Sequence, residues 1–453
     1  MLKASKFSII VVGALLIAVL GARPYVDSWN DGSRLASVEA LVDRHTWAID
    51  DSIFVKVPPQ DELNPYGPEV VPSSSGTMDK LLIGGHFYSD KPPVLTLYLA
   101  GIYWVAQKLT GLTAAHDPHV FIYLLTVMSA GLGYVAGVLC IWFLALRLGL
   151  FENTAFLVTI SFGLATVAPV YSREVNTHIM QLTAFAAIFL LASLPRKRVA
   201  LIGLLAGAAY TLDLGIGPVL VLSTLIYVCI KRRNLRSTAL CALGMLPFIA
   251  LHHWLNYRIG GTFGPANANP LFFDYPGSPF SAENMTGVWA HDSVWDMIQY
   301  AGGLLLGRHG FLLYNLPLLL IPFGAVSAWR AFPAQRAELL FAALVCVGSW
   351  VLYTLGSNNY SGSASSIRWF VPLLVPAYFA LMLVIQARPG LLEQFKILTQ
   401  FGVILSAMLF WVGPWLYPVA LVFWVIVPLS LAALAWSLWR SPKLPALDAP
   451  ILS

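Results

Sequence analysis

Long apolar runs separated by short polar segments dominate the hydrophobic pattern of this chain of 453 residues. A helix needs about 20 mainly apolar residues to cross the hydrocarbon core of a bilayer, and twelve runs approach or exceed that length. We predict a membrane-spanning helix in each of the segments 7–24, 119–146, 154–170, 178–194, 199–212, 214–230, 238–256, 310–329, 337–355, 369–386, 396–412 and 417–438. The pattern therefore predicts an all-α polytopic membrane protein with about twelve transmembrane helices.

The run 93–107 is ambiguous by length, and the basic residues of the loops decide its placement. Lys and Arg concentrate in the cytoplasmic loops of membrane proteins. If 93–107 does not span, nearly every basic cluster falls on the side of both termini; if it spans, every later cluster changes side. We therefore predict an interfacial or shallow re-entrant helix over 93–107, and large outer loops at 25–118 and 257–309. Segment 1–22 could be a cleaved signal peptide, but its length favours a retained helix.

The composition supports this assignment and excludes other classes. Hydrophobic residues make up 58% of the chain and charged residues only 11%, whereas soluble domains carry roughly 25% charged residues. The net charge of +5 lies mostly in short loops, so it reports topology and not nucleic-acid binding. All four cysteines lie in apolar runs without a CxxC spacing, which disfavours disulfides and zinc. We divide the chain into an N-terminal transmembrane module 1–256, an outer loop 257–309 and C-terminal helices 310–453.

The first outer loop holds an unusual concentration of acids, bases and aromatic residues. Asp31 follows the first span and can cap a helix over 32–44. One face of that helix is apolar, which predicts a helix lying flat on the outer leaflet. At the far end of the loop, Lys91 and Pro92-Pro93 begin the predicted helix 93–107. A basic group beside a helix N-terminus at headgroup depth is a favourable place for a phosphate.

The motifs Asp31-Gly32-Ser33-Arg34 and Asp90-Lys91-Pro92-Pro93 resemble those of the membrane glycosyltransferases of superfamily C. Within it, the chain is most similar to bacterial aminoarabinose transferases and protein O-mannosyltransferases, which carry an Asp after the first span and an acid-Lys-Pro motif ending a large outer loop. Two features differ from the family pattern. The family commonly has Asp-Glu where this chain has Asp31-Gly32, and the separation of 60 residues between Asp31 and Lys91 (91 − 31) is longer than is usual for the aminoarabinose type. Both differences bear on which sugar and which acceptor the protein would use, more than on the class of reaction.

The resemblance implies an inverting glycosyltransferase in a cell membrane, such as a bacterial inner membrane, with its site on the periplasmic or extracytoplasmic face. The implied donor is a sugar on a polyprenyl phosphate, and the acceptor a lipid, glycan or protein. Asp31 matches the family's loop-start acid as general base, and Lys91 would bind the donor phosphate. No cofactor is implied, and the residues show no metal-ligand spacing, although some relatives that act on peptides use a metal.

Other polar residues at the outer face are candidates for the same site. Asp90 and Glu174 are further candidate acids, and Glu174 resembles the acid that the family places after its third span. Arg308 and Arg368 precede spans at a depth where an arginine usually has an anionic partner, such as a lipid phosphate. Four residues are assigned supporting roles: Arg34, which could orient Asp31 or pair with Glu39, and His86, Tyr88 and His291.

Simpler interpretations remain for the main residues and for the whole chain. Asp31 could serve only as a helix cap, and Lys91 only as a lysine that extends to the membrane surface. A polytopic transporter or lipid flippase would place polar residues near the membrane midplane, whereas this chain keeps them at the outer rim. A non-catalytic subunit with the same fold would have the same sequence pattern.

Overall fold

A computed structural model describes residues 5–26, 28–55, 76–194, 198–281, 291–362, 364–414 and 421–440. The α-helices are α1 (Lys6–Gly21), α2 (Trp29–Asp43), α3 (Pro93–Thr110), α4 (Pro118–Thr126), α5 (Leu132–Arg147), α6 (Glu152–Leu164), α7 (Ala168–Tyr171), α8 (Thr177–Ser193), α9 (Val199–Tyr210), α10 (Ile216–Arg232), α11 (Leu235–Gly260), α12 (Val294–Leu306), α13 (Phe311–Tyr314), α14 (Ile321–Ala331), α15 (Arg336–Gly356), α16 (Leu374–Ala387), α17 (Leu392–Val412) and α18 (Leu421–Arg440). One antiparallel hairpin, β1 (Lys80–Ile83) and β2 (His86–Ser89), lies in the first loop.

Each segment predicted to span contains helix, but the number of spans is not confirmed. Six described helical segments are long and apolar enough to cross a membrane: Pro118–Arg147, Leu235–Gly260, Pro333–Gly356, Arg368–Ala387, Pro389–Val412 and Val422–Arg440. The predicted span 310–329 is broken, because Val294–Tyr314 and Leu316–Ala331 meet at an angle of 111°. Pro317 lies at this break, where proline interrupts the helical hydrogen bonding. Counting that bent pair as one gives seven candidate spans in the part of the chain that the structure describes, beside shorter apolar helices such as α1, α8 and α9.

The two helices of the first loop differ in their surroundings. Helix α3 is apolar and exposed on one side, through residues such as Trp104 and Leu109, as expected of a helix at a lipid interface. Helix α2 begins at Trp29, not at residue 32, and is buried on both faces. The polar side of α2 does not face water, because it packs against the β1–β2 hairpin and the start of α8. Its placement flat on the outer leaflet stays a prediction.

Glycines bring α9 and α11 into close contact. A Cβ atom on Gly203 would lie 2.0 Å from the carbonyl oxygen of Cys241, and one on Gly207 would lie 2.5 Å from that of Met245. From the other side, a Cβ atom on Gly244 would lie 2.3 Å from the carbonyl oxygen of Ala200. Small residues spaced by four allow the backbones of membrane helices to approach in this way. The packing fixes α11, whose C-terminal half reaches the polar residues of the first loop.

Candidate active site

The β1–β2 hairpin brings two aspartates together. Its turn consists of Gly84 and Gly85, with φ of +60° and +87°, a left-handed backbone that a two-residue hairpin turn requires and that glycine adopts without strain. The register pairs Lys80 with Ser89. Asp79 and Asp90 therefore lie one residue beyond the last pair, on adjacent chains at the open end of the hairpin.

Lys91 occupies the space between these two carboxylates. Its Nζ atom lies 2.6 Å from Oδ2 of Asp79 and 2.7 Å from Oδ2 of Asp90. All three side chains are between 11% and 13% exposed, so the pairs are largely withdrawn from water. Asp90 was predicted as a site residue, whereas Asp79 was not. The hairpin register was the missing signal, because Gly84-Gly85 between two short apolar strands predicts that 79 and 90 face each other.

Helix α2 joins this cluster through Ser33 and Arg34. The Ser33 hydroxyl donates to Oδ1 of Asp90 over 3.1 Å. The Nη2 atom of Arg34 donates to Asn30 and to Thr177 at the start of α8, over 3.3 and 3.4 Å. Within the part of the chain that the structure describes, Nε and Nη1 of this buried guanidinium have no hydrogen-bond partner. The suggested pairing of Arg34 with Glu39 is wrong.

Glu39 is held elsewhere, by the segment that follows α2. Its carboxylate accepts hydrogen bonds from the hydroxyl of Ser52, from the backbone N–H of Ile53 over 3.1 Å and from Arg44 over 3.2 Å. Burial raises the pKa of Glu39, and the contacts with Ser52 and Arg44 oppose the rise. Arg34 is therefore left without this acid as a counterion, on the opposite side of the same helix.

Burial and neighbouring charges perturb the ionisable groups of the cluster. Burial lowers the pKa of Arg34 to about 10; Asp90 opposes this shift, and Arg368 adds to it. Burial also raises the pKa of Asp90, with Lys91 opposing the rise and Asp79 reinforcing it. Because Arg368 contributes to the lowered pKa of Arg34, the two guanidinium groups act on one buried region. An anion bound there would be stabilised by both cations.

Asp213, in the turn between α9 and α10, contacts residues of α8 and α15 near the cluster. One of its oxygens, Oδ1, accepts hydrogen bonds from the backbone N–H of Gly215 over 2.8 Å and from the hydroxyl of Tyr353 over 3.2 Å. The other, Oδ2, lies 3.9 Å from Nδ1 of the buried His178. Sequence reasoning missed His178, because only the fold brings α8 and the α9–α10 turn together.

Asp31 occupies a different position from the one predicted. It is the third residue of α2 and not its N-cap; Ser28 is the N-cap. The Oδ1 atom of Asp31 accepts from the backbone N–H and the hydroxyl of Ser28, over 2.8 and 2.7 Å, which forms a capping box. The side chain is 2% exposed. The other predicted acid, Glu174, is also buried, in the turn before α8.

The remaining predicted residues lie around the cluster or apart from it. Tyr88 lines a small space together with Lys91 and Thr96. His86 has a side chain that is 65% exposed and faces Asp50. The Nε2 atom of His291 lies 2.7 Å from the carbonyl oxygen of Thr354, and the ring packs against Tyr300 with centroids 5.3 Å apart. Arg308 is exposed.

An apolar cavity of about 390 Å³ lies between α12, α14, α15 and α16. Its lining includes Leu305, Phe311 and Phe370. Leu305 and Phe311 stand on either side of Arg308 in the chain, and Phe370 is two residues after Arg368. The two arginines predicted to bind phosphate are thus close in sequence to the walls of an apolar cavity.

Metal ligands and cysteines add nothing to the cluster. Among the residues that the structure describes, no group of three or more His, Cys, Asp or Glu side chains is arranged to hold a metal ion. The four cysteines are free thiols.

Comparisons with known proteins find similarity at the level of the fold alone. No family model and no curated protein matches the sequence. The structure of ArnT from Cupriavidus metallidurans bound to undecaprenyl phosphate is similar, with a TM-score of 0.51, 15% identity, and coverage of 95% of this chain and 75% of that one. The apo structure of the same protein gives a TM-score of 0.51 with 15% identity, covering 96% and 74%. The chain therefore has the fold of ArnT, and the predicted fold class, an all-α polytopic membrane protein, is confirmed.

Proposed function

We propose that this protein is an integral-membrane glycosyltransferase that moves a sugar from a polyprenyl-phosphate donor to an extracytoplasmic lipid, glycan or protein. The observation that carries the proposal is the guanidinium of Arg34, which is buried beside the Asp79–Lys91–Asp90 cluster and whose Nε and Nη1 atoms have no hydrogen-bond partner among the described residues. The fold adds support, because its relative ArnT was crystallised with undecaprenyl phosphate.

Arg34 is the principal ligand of the donor phosphate in this proposal, and Lys91 assists it. Lys91 is held by two carboxylates, so the three side chains together carry one negative charge when Asp90 is ionised. Arg34 brings the sum to zero, and Arg368 makes it positive. A buried arginine with free N–H groups suits a phosphate, because the planar guanidinium forms paired, charge-assisted hydrogen bonds. Arg308 would contact the donor from the more exposed side.

The isoprenoid chain of the donor would occupy the apolar cavity beside Phe311 and Phe370. Because the isoprenoid chain enters from a bilayer that is as apolar as the cavity, its burial adds little hydrophobic free energy and serves mainly to position the donor. The arginines near the cavity wall would then fix the phosphate.

The reaction is a direct displacement at the anomeric carbon. The acceptor hydroxyl forms a bond to this carbon, the bond from carbon to phosphate oxygen breaks, and polyprenyl phosphate leaves with the electron pair. Asp31 takes the hydroxyl proton as general base. Asp31 and Arg34 are three residues apart on α2, where Cβ atoms are about 5–6 Å apart, so one sugar could contact both.

Asp90 has a positioning role in this mechanism. A base must approach the sugar opposite to the leaving phosphate, whereas Asp90 lies directly against Lys91 on the phosphate side. Its contact with Ser33 holds the β1–β2 hairpin against α2. Glu174 is the alternative base, since it is a second buried acid, close in sequence to Thr177, which contacts Arg34.

Transfer from radiolabelled polyprenyl-phosphate sugars in membranes tests the proposal. Wild type should label an extracytoplasmic acceptor with inversion at the anomeric carbon, whereas Asp31→Asn should label none at equal expression. Movement of the intact donor lipid across vesicles without any transfer would instead support a transporter, and would refute the enzyme.

A further inference from the structure

A second cavity, which is partly polar and has a volume of about 470 Å³, lies at the other end of the helical bundle. Its walls come from the ends of α5, α8 and α10 and from the start of α15, and they include Arg147, Lys231, Arg232 and Glu338. Helices α8 and α10 both begin near the candidate active site and both end at this cavity. Each has 17 residues, which at a rise of 1.5 Å per residue is about 25 Å.

That separation places the cavity at the depth of the opposite lipid headgroups. The hydrocarbon core of a bilayer is about 30 Å thick. If Arg34 and Lys91 act near one membrane surface, the ends of α8 and α10 reach the other. Arg147 and the Lys231-Arg232 pair are also among the basic clusters that the charge distribution predicts to be cytoplasmic.

The charges within the cavity do not cancel. Glu338 is buried and accepts a hydrogen bond from Tyr227 over 3.0 Å, and its carboxylate lies 3.0 Å from Nζ of Lys231. This pair neutralises Lys231. Arg147 and Arg232 are left without an acidic partner among the described residues, so the cavity carries two uncompensated positive charges.

Main-chain contacts hold two of the basic side chains in place. The Nε atom of Arg147 donates to the carbonyl oxygen of Ser193 over 3.2 Å, which leaves its two Nη atoms for another acceptor. Nζ of Lys231 donates to the carbonyl oxygen of Ala334 over 2.8 Å. Apolar walls from Leu148 and Phe379 complete the cavity. A phosphate flanked by hydrocarbon matches this combination.

We infer that the cavity binds the headgroup phosphate of an anionic phospholipid, with Arg147 and Arg232 as its ligands. Basic cavities between transmembrane helices on the cytoplasmic side are suited to such headgroups. The site is separate from the proposed donor site and does not depend on the proposed reaction. It would anchor the inner ends of α5, α8 and α10.

Lipid-dependent stabilisation of the full-length protein in detergent tests this inference. We expect phosphatidylglycerol to raise the thermal unfolding midpoint at concentrations about tenfold lower than phosphatidylcholine. Both lipids carry a phosphate, but the choline cation of phosphatidylcholine cancels the net negative charge that would offset the two arginines. Native mass spectrometry should show phosphatidylglycerol retained on the wild type. Equal effects of the two lipids, or equal stabilisation by inorganic phosphate alone, would overturn the inference.

Substitutions of the basic residues test whether Arg147 and Arg232 are the lipid ligands. Arg147→Gln/Arg232→Gln should lose the preference for phosphatidylglycerol, whereas Arg236→Gln should keep it, because Arg236 is exposed and does not line the cavity. Arg147→Lys/Arg232→Lys keeps the charges and should retain part of the preference. If the Gln double variant does not fold, the wild-type comparison of the two lipids still decides. An unchanged preference in a folded double variant would exclude these ligands.

Discussion

The Nζ atom of Lys91 lies 2.6 Å from Oδ2 of Asp79, across the open end of the β1–β2 hairpin. The acid-Lys-Pro motif therefore has a second carboxylate that its own sequence does not contain. Asp79 and Asp90 both contact Lys91, and all three side chains are largely buried. The ammonium group therefore stabilises the loop by pairing with two carboxylates, and it is also a candidate phosphate ligand.

Removing Lys91 should destabilise the protein through the carboxylates that it leaves behind. Breaking a buried ion pair by deleting one partner costs about 3–5 kcal/mol, so Lys91→Met should clearly lower the unfolding midpoint in detergent. The variant Lys91→Met/Asp79→Asn removes one of the two stranded charges and should recover part of that loss. If the double variant is no more stable than Lys91→Met, the contact with Asp79 contributes little.

Arg34 should control donor binding by geometry as well as by charge. Arg34→Gln should weaken binding of undecaprenyl phosphate at least about tenfold, since a hydrogen bond to a charged group contributes about 1.5–3 kcal/mol. Arg34→Lys keeps the charge but loses the planar pair of donors, so it should recover only part of the affinity. Quenching of intrinsic tryptophan fluorescence by the lipid measures this. Lys108→Gln, at the exposed end of α3, is the matched control.

The sequence predicts the helices well and the interior contacts poorly. Helix α3 was expected over 93–107 and is found over Pro93–Thr110, because apolar length and a proline start are local signals. The contact of Arg34 with Thr177 could not be predicted, since the two residues are 143 positions apart (177 − 34). The same holds for His178 and Asp213, which meet only after α8 and α9 have packed.

Helix α2 shows why a local pattern can mislead. Its apolar stripe predicts one buried face only, but the polar residues on its other side contact the hairpin and α8, so both faces are largely buried. The predicted start of α2, at residue 32, is also wrong, because the sequence offers two capping residues. Asp31 and Ser28 are both good caps, and the capping box uses them together.

The capping and catalytic roles of Asp31 can be separated by changing its partner. Ser28→Ala removes the side chain that donates to Asp31 and should cost about 1 kcal/mol of stability, as loss of an N-cap does. If Asp31 is the base, Ser28→Ala should retain most transfer activity while Asp31→Asn abolishes it at a similar unfolding midpoint. Parallel losses of activity and stability in both variants would mean that Asp31 only caps α2.

The contact between α9 and α11 should not tolerate a side chain at Gly203. A Cβ atom there would lie 2.0 Å from the carbonyl oxygen of Cys241, and backbone cannot move aside as a flexible side chain can. Overpacking typically costs about 1–3 kcal/mol, and we expect Gly203→Val to reach at least the upper part of that range. Gly13→Val is the control, because a Cβ atom on Gly13 meets nothing within 4 Å. Fluorescence-detected size-exclusion chromatography after heating would show similar melting of the two variants if the contact were unimportant.

Lys80 should make stability depend on pH in the alkaline range. Burial lowers its pKa to about 8, with Asp50 opposing the shift, and Nζ lies 4.6 Å from the ring centroid of Phe87. The unfolded chain has a lysine pKa of about 10.4, so between these values it binds more protons than the folded protein does. Stability contributed by this group therefore rises with pH through that window. Thermal unfolding from pH 7 to 10 should show this rise in the wild type and a smaller one in Lys80→Met; parallel profiles would show that Lys80 keeps its ordinary pKa.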